Sequence, residues 1–116
     1  MTRILVIDDD VTLAELMRVV LEDAGFTVAV TTNPCDLPSG RYDCILTDLV
    51  TVGAYNVTDA RDWLLRLADR YPGVPTLVAT AHSEARRDEA ALGATAVILK
   101  PFDVDMLTAA VRKLTS

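Results

Sequence analysis

Residues 3–10 read RILVIDDD, and the reading of this stretch decides the fold. Ile4, Leu5, Val6 and Ile7 form a short continuous run of apolar residues. A strand buried on both faces has that composition, and such strands belong to parallel sheets covered by helices on each side. Asp8, Asp9 and Asp10 then set three carboxylates where the strand leaves the core. Neighbouring like charges raise one another's proton affinity unless a positive charge lies between them. Helix capping, with Asp10 or Thr12 as the cap, accounts for one of the three, and Asp10 reads as a solvated cap rather than a ligand; for the other two, cation binding is the favoured reading.

Outward from this stretch, apolar runs alternate with helical patterns. Leu13, Leu16, Met17, Val20, Leu21 and Ala24 recur at helical spacing, with Thr12 and Glu15 as a capping box and Gly25 as the stop. Phe26–Thr31 is predicted as a second strand and Tyr42–Thr47 as a third, ending at Asp48. Between them, Pro34 and Pro38 limit any helix to about one turn. A third helical pattern buries Ala60, Trp63, Leu64, Leu67 and Tyr71 and stops at Pro72-Gly73. Pro75–Thr80 is the fourth strand, and Ser83 is placed to cap a thinly apolar helix closed by Gly93. Ala96–Leu99 is the fifth strand, after which Asp103 caps a last helix with Met106, Leu107, Ala110, Val111 and Leu114 facing inward.

This (βα)5 alternation in 116 residues predicts one α/β domain over 1–116, with a parallel sheet between two helical layers. A net charge of −6 argues against direct nucleic-acid binding, which rests on neutralising phosphates. It suits metal cations or basic partner surfaces, although acidity also serves solubility alone. Cys35 and Cys44 lack CxxC spacing, and Cys44 in its apolar run reads as a small buried hydrophobe. No run approaches the ~18 apolar residues of a membrane span. The opening apolar run is too short for a signal peptide, so a reduced, cytoplasmic location without membrane partners is expected.

Ligands of such sheets bind beyond the carboxyl ends of the strands. Collected there are Asp8, Asp9 and Asp10, then Asp48, Thr80 and Lys100. Carboxylates without histidine or cysteine suit a hard divalent cation with oxygen ligands, Mg2+ before Ca2+. Thr80 and Lys100 would then remain for an anion held across the metal, which points to a phosphoryl group.

The stretches ILVIDDD, YDCILTDL, TLVATAHS and VILKPF, in this order at strand ends, resemble the receiver domains of two-component response regulators, including the chemotaxis regulators. The resemblance implies a flavodoxin-like three-layer sandwich with strand order 2-1-3-4-5, in which Pro34 and Pro38 leave this chain a shortened second helix. It implies that Asp48 is the phosphoacceptor, taking a phosphoryl group from the phosphohistidine of a sensor histidine kinase or phosphotransfer protein. Asp8, Asp9, Asp48 and the backbone carbonyl of Val50 would hold Mg2+. Thr80 would donate its hydroxyl to the phosphoryl oxygens, Lys100 would pair with them, and the Lys100-Pro101 bond would be cis. Such a domain catalyses only its own phosphorylation and dephosphorylation and is otherwise not an enzyme. Its output goes to a downstream protein or to an output domain outside this chain, through a face that includes the thinly apolar fourth helix.

This chain departs from the family pattern in four places. Val97 stands where Tyr or Phe is usual, so the ring that would turn inward on phosphorylation is missing there. The stretch LVTVGAYNVTD after the acceptor lacks the usual Met-Pro and Asp-Gly pairs. The segment between the second and third strands is short. Val50 and His82 occupy the positions that influence phosphoaspartate hydrolysis; Val50 offers an attacking water no hydrogen bond, whereas His82 is either beside the water path or a solvated helix-start residue. The alternative reading is a pseudo-receiver, an interaction module that does not use phosphorylation. A flavin binder is disfavoured because Asp8–Asp10 present an anionic rather than glycine-rich loop to a phosphate.

Overall fold

In the computed structural model, residues 2–49 and 54–116 are described. Strands β1 (Arg3–Ile7), β2 (Thr27–Thr31), β3 (Cys44–Thr47), β4 (Thr76–Thr80) and β5 (Ala96–Leu99) form one parallel sheet in the order β2-β1-β3-β4-β5. The helices are α1 (Val11–Asp23), α2 (Val57–Arg70), α3 (Glu84–Arg87), α4 (Glu89–Leu92) and α5 (Val104–Thr115).

Successive residues of a strand point to opposite faces, and here both faces are apolar. Leu5, Ile7, Ile45, Val78 and Val97 pack with Ala60, Trp63, Leu64 and Leu67 of α2 and with Ala85 and Leu92. Ile4, Val6, Cys44, Leu46, Leu77, Ala79 and Ile98 pack with Ala14, Met17 and Leu21 of α1 and with Leu107 and Val111 of α5. The expected three-layer sandwich follows from that alternation. Burial pushes the Cys44 thiol up to about 12, which keeps it protonated and makes it the inert hydrophobe anticipated from its neighbours.

The segment joining β2 and β3 forms no α-helix among the described residues. It keeps a single turn in which Asp36 N–H donates to Asn33 C=O at 3.0 Å, the length the two prolines allow.

Several local expectations require correction. The Thr12–Glu15 capping box does not form: Thr12 lies within α1 and Glu15 is engaged with Arg18. The cap is the third aspartate of the triplet, Asp10, as its place in the triplet suggested, its Oδ1 accepting from Leu13 N–H at 3.1 Å. Ser83 makes no capping hydrogen bond and already has helical dihedrals, φ −62° and ψ −27°. The single helix expected before Gly93 is divided into α3 and α4 at Asp88. Leu16 and Met106, placed inward by periodicity, are 55% and 48% exposed. Each helix carries more apolar residues than one buried face holds, and the sheet covers only that face.

Asp103 caps α5 as expected, accepting from Met106 N–H at 2.7 Å. Asp10→Ala is expected to cost about 1 kcal/mol in chemical denaturation, the usual worth of such a cap. It should leave cation affinity nearly unchanged, because the Asp10 carboxylate serves the helix.

Candidate functional site at the carboxyl edge of the sheet

Strand register assembles the site. Ile7 stands opposite Thr31 on one side and Thr47 on the other. The residues that follow, Asp8 and Asp48, therefore leave the sheet side by side. Their amides close the ladder, Asp8 N–H to Thr31 C=O at 3.2 Å and Asp48 N–H to Ile7 C=O at 2.9 Å. On the other half, Thr80 pairs with Leu99, and Lys100 N–H donates to Thr80 C=O at 2.8 Å.

Asp8 is only 2% exposed, and each of its carboxylate oxygens accepts one hydrogen bond. Its Oδ1 accepts from Asp10 N–H at 2.9 Å, and its Oδ2 accepts from Lys100 Nζ at 3.0 Å. The same ammonium lies 3.5 Å from Asp48 Oδ2, so one cation serves two acids. Asp48 Oδ1 accepts from Leu49 N–H at 2.9 Å. Carboxylate oxygens of Asp8, Asp9 and Asp48 all lie within 4.8 Å of one another. Asp8 is buried, Asp48 half-buried and Asp9 exposed, so the cluster opens to solvent on one side. Three oxygen donors with one exposed flank fit a hard divalent cation that keeps part of its water shell.

Burial raises the Asp48 carboxyl above the ordinary aspartate range, against the opposing pull of Lys100 and the Leu49 amide, and the Asp8 charge adds to the rise. In the cation-free protein this acid therefore binds its proton more tightly folded than unfolded. Its ionisation opposes folding above the folded pKa, and the penalty vanishes as pH falls below the unfolded value. Asp48→Asn is accordingly expected to raise the metal-free unfolding midpoint at neutral pH, with the gain disappearing in acid.

Thr80 is fully buried, and its Oγ1 accepts from His82 N–H at 3.1 Å. Val97 is buried in the face under α2, as a core residue. The His82 ring lies against Tyr55, with centroids 5.5 Å apart. The Lys100-Pro101 bond is cis. The Val50 carbonyl, assigned to the metal by resemblance, lies outside the described residues.

Two features were missed in the sequence. Leu13, Leu16, Ala81, Pro101 and Phe102 form an apolar hollow of about 430 Å3 bordered by Lys100. The surplus of apolar residues in α1 was the available signal for it. The other is Tyr55, whose hydroxyl donates to Asp88 Oδ2 at 2.8 Å across 33 residues of sequence, a pairing no local pattern announces.

The doubly covered sheet of order 2-1-3-4-5, with acids, a hydroxyl and a lysine along its carboxyl rim, defines a flavodoxin-like domain of chemotaxis-regulator type. The chain belongs to the response regulator receiver domain family, whose model matches residues 4–112. It is 31% identical over 121 residues to the chemotaxis protein CheY of Pseudomonas aeruginosa, covering 97% of this chain and 94% of that protein. It is 37% identical over 116 residues to the DNA-binding response regulator MtrA of Mycobacterium tuberculosis, covering 95% of this chain but 49% of the relative. The chain thus spans about half the length of MtrA. Among solved structures, it superposes on the response regulator TrrA of Thermotoga maritima in complex with Mg2+-BeF, with a TM-score of 0.79, 26% identity and coverage of 98% and 99% of the two chains. TrrA in complex with the histidine kinase ThkA gives a TM-score of 0.79, 27% identity and full coverage of both chains, 100% each.

Proposed function

We propose that this receiver domain accepts a phosphoryl group on Asp48 from the phosphohistidine of a sensor histidine kinase or phosphotransfer protein, in a reaction that requires Mg2+. The observation that carries this reading is the convergence of Asp8, Asp9 and Asp48 within 4.8 Å, with Lys100 Nζ reaching both Asp8 and Asp48. An Asp48 oxygen attacks phosphorus as the bond to the histidine nitrogen breaks, and the imidazole leaves with the electron pair. A carboxylate is already a nucleophile and needs no general base. Positioning and charge neutralisation are the chief requirements of such a transfer. Asp8 and Asp9, with Asp48, would hold Mg2+, which supplies neutralisation between the attacking carboxylate and the phosphoryl oxygens. Lys100 would exchange Asp48 for a phosphoryl oxygen, and Thr80 would donate its hydroxyl to another.

The kinase partner is supported by the ThkA complex of the related TrrA. The hollow formed by Leu13, Leu16, Ala81, Pro101 and Phe102 offers an apolar seat for a partner helix next to the acceptor. In this reading the domain works in the cytoplasm and acts catalytically only on itself. Its signal passes to a downstream protein or output domain, without direct nucleic-acid contact by this acidic chain. The aliphatic Val50 side chain makes phosphoaspartate hydrolysis slow, and His82 is the nearby group able to influence it. Among the described residues, no helix is long and apolar enough to cross a membrane.

Intact-mass spectrometry after incubation with acetyl phosphate tests the proposal. The wild-type chain should gain one phosphoryl group with Mg2+ and none without it, and Asp48→Ala should gain none. Failure to gain it from either acetyl phosphate or a phosphorylated kinase would overturn the reading. It would favour a pseudo-receiver, to which the buried Val97 in place of a mobile ring already lends weight. Binding of Mg2+ should also raise the unfolding midpoint, by linkage about 2.7 kcal/mol at a hundred times Kd. Asp9→Asn, at the exposed flank, should largely remove this shift while leaving the metal-free midpoint near wild type.

A further inference from the structure

The rim site is tied to segment 84–92 by a short chain of contacts. Thr80 Oγ1 accepts from His82 N–H at 3.1 Å, the His82 ring rests on Tyr55, and the Tyr55 hydroxyl donates to Asp88 at 2.8 Å. Asp88 is the residue at which the expected single helix divides. Helical hydrogen bonds run into and out of it, from Asp88 N–H to Glu84 C=O at 3.0 Å and from Leu92 N–H to Asp88 C=O at 2.9 Å. Its own dihedrals, φ −93° and ψ 11°, nevertheless break the run, and its side chain caps neither α3 nor α4. The carboxylate turns to Tyr55 instead, with Arg87 Nε 3.5 Å from its other oxygen. The break is therefore held by a bond from outside the segment, while Glu84–Leu92 is otherwise rich in good helix formers.

The geometry points to Tyr55 as the ring that couples the acceptor site to segment 84–92 in this chain, where Val97 cannot. This rests on the phosphoacceptor reading given above. When the Thr80 hydroxyl turns towards a phosphoryl group on Asp48, its oxygen moves away from the His82 amide. His82 then shifts or loses that bond, and the ring supporting Tyr55 moves with it. Tyr55 releases Asp88, and the exposed surface of α3 and α4 rearranges. Val97 stays in the core throughout; its carbonyl accepts from Arg86 Nη2 at 3.2 Å, which anchors α3 to β5.

Hydrogen exchange of the peptide covering 84–92, with and without Mg2+ and beryllofluoride, tests this, with loading read by the fluorine NMR signal of bound beryllofluoride. Loading of the wild type should speed exchange about fivefold, the factor expected from losing one side-chain hydrogen bond. Tyr55→Phe keeps the ring but not the bond, and it should exchange at the loaded rate before loading and change little afterwards. Asp88→Ala should match it, whereas Asp88→Asn, which retains an acceptor, should behave as wild type. A loaded wild type with unchanged exchange, or a Tyr55→Phe variant as protected as the unloaded wild type, would overturn this inference alone. Absence of bound beryllofluoride in every sample would overturn the phosphoacceptor reading and this coupling together.

Discussion

Lys100→Met is expected to slow phosphorylation of Asp48 about 100- to 1,000-fold, the usual loss when one preorganised charge-stabilising donor is removed. It should also destabilise the metal-free domain by about 3 kcal/mol, because removing one member of a buried ion pair strands the other. Both effects follow from one ammonium lying 3.0 Å from Asp8 and 3.5 Å from Asp48. The Asp8 side chain is 1% exposed, so water cannot take over from the lysine. Its remaining partner is the Asp10 amide, and Asp9 and Asp48 face it with like charge.

The two losses are separable. Saturating Mg2+, held by the same carboxylates in the proposed site, should restore most of the stability, which denaturation curves with and without the ion would show. At the same Mg2+ concentration the rate should stay about 100- to 1,000-fold below wild type, because the lysine is missing from the phosphoryl oxygens. A variant that matched the wild-type rate at saturating Mg2+ would assign Lys100 to structure alone. Equal loss of stability with and without Mg2+ would mean that the cation does not bind between these acids.

The second large effect is on Trp63. Trp63→Ala is expected to cost about 3–5 kcal/mol, the range for emptying an aromatic site in a core. The ring is 2% exposed in the layer between β1, β3 and α2, and its Nε1–H donates to Thr47 Oγ1 at 3.0 Å. Thr47 Oγ1 in turn donates to Asp48 C=O at 2.6 Å, so the indole is linked to the backbone of the proposed acceptor. Trp63→Phe keeps much of the packing but loses the hydrogen bond, and about 1–2 kcal/mol is expected for it. Chemical denaturation separates the two variants. If Trp63→Phe also slowed phosphorylation while remaining folded, the indole would be acting on the placement of Asp48 as well as on stability.

The architecture was largely legible because its determinants are local. Uninterrupted apolar runs such as Ile4–Ile7 specify strands covered on both sides, and the helical repeats between them exclude an antiparallel sheet. The candidate site was legible for the same reason: Asp8, Asp48, Thr80 and Lys100 each stand at or just past the end of such a run, and a parallel sheet brings those ends to one rim. Their roles came from resemblance to a family, since composition and spacing reach only as far as a hard cation and an anion.

What the sequence determined, then, is the order of elements and the identity of the residues on the rim, because strand periods, prolines and charges act within a few residues. Tertiary structure decided which of several apolar stripes is buried. Leu16 and Met106 satisfy the helical period yet face outward, since the sheet covers one side of each helix and periodicity does not say which. It decided the caps, choosing Asp10 over Thr12 and leaving Ser83 unused, because a cap depends on the angle at which the chain enters the helix. It also decided that one lysine would serve two acids and that Tyr55 would reach Asp88. Those pairs are 92, 52 and 33 positions apart in the chain, and only the packing of the three layers brings them within hydrogen-bond or ion-pair distance.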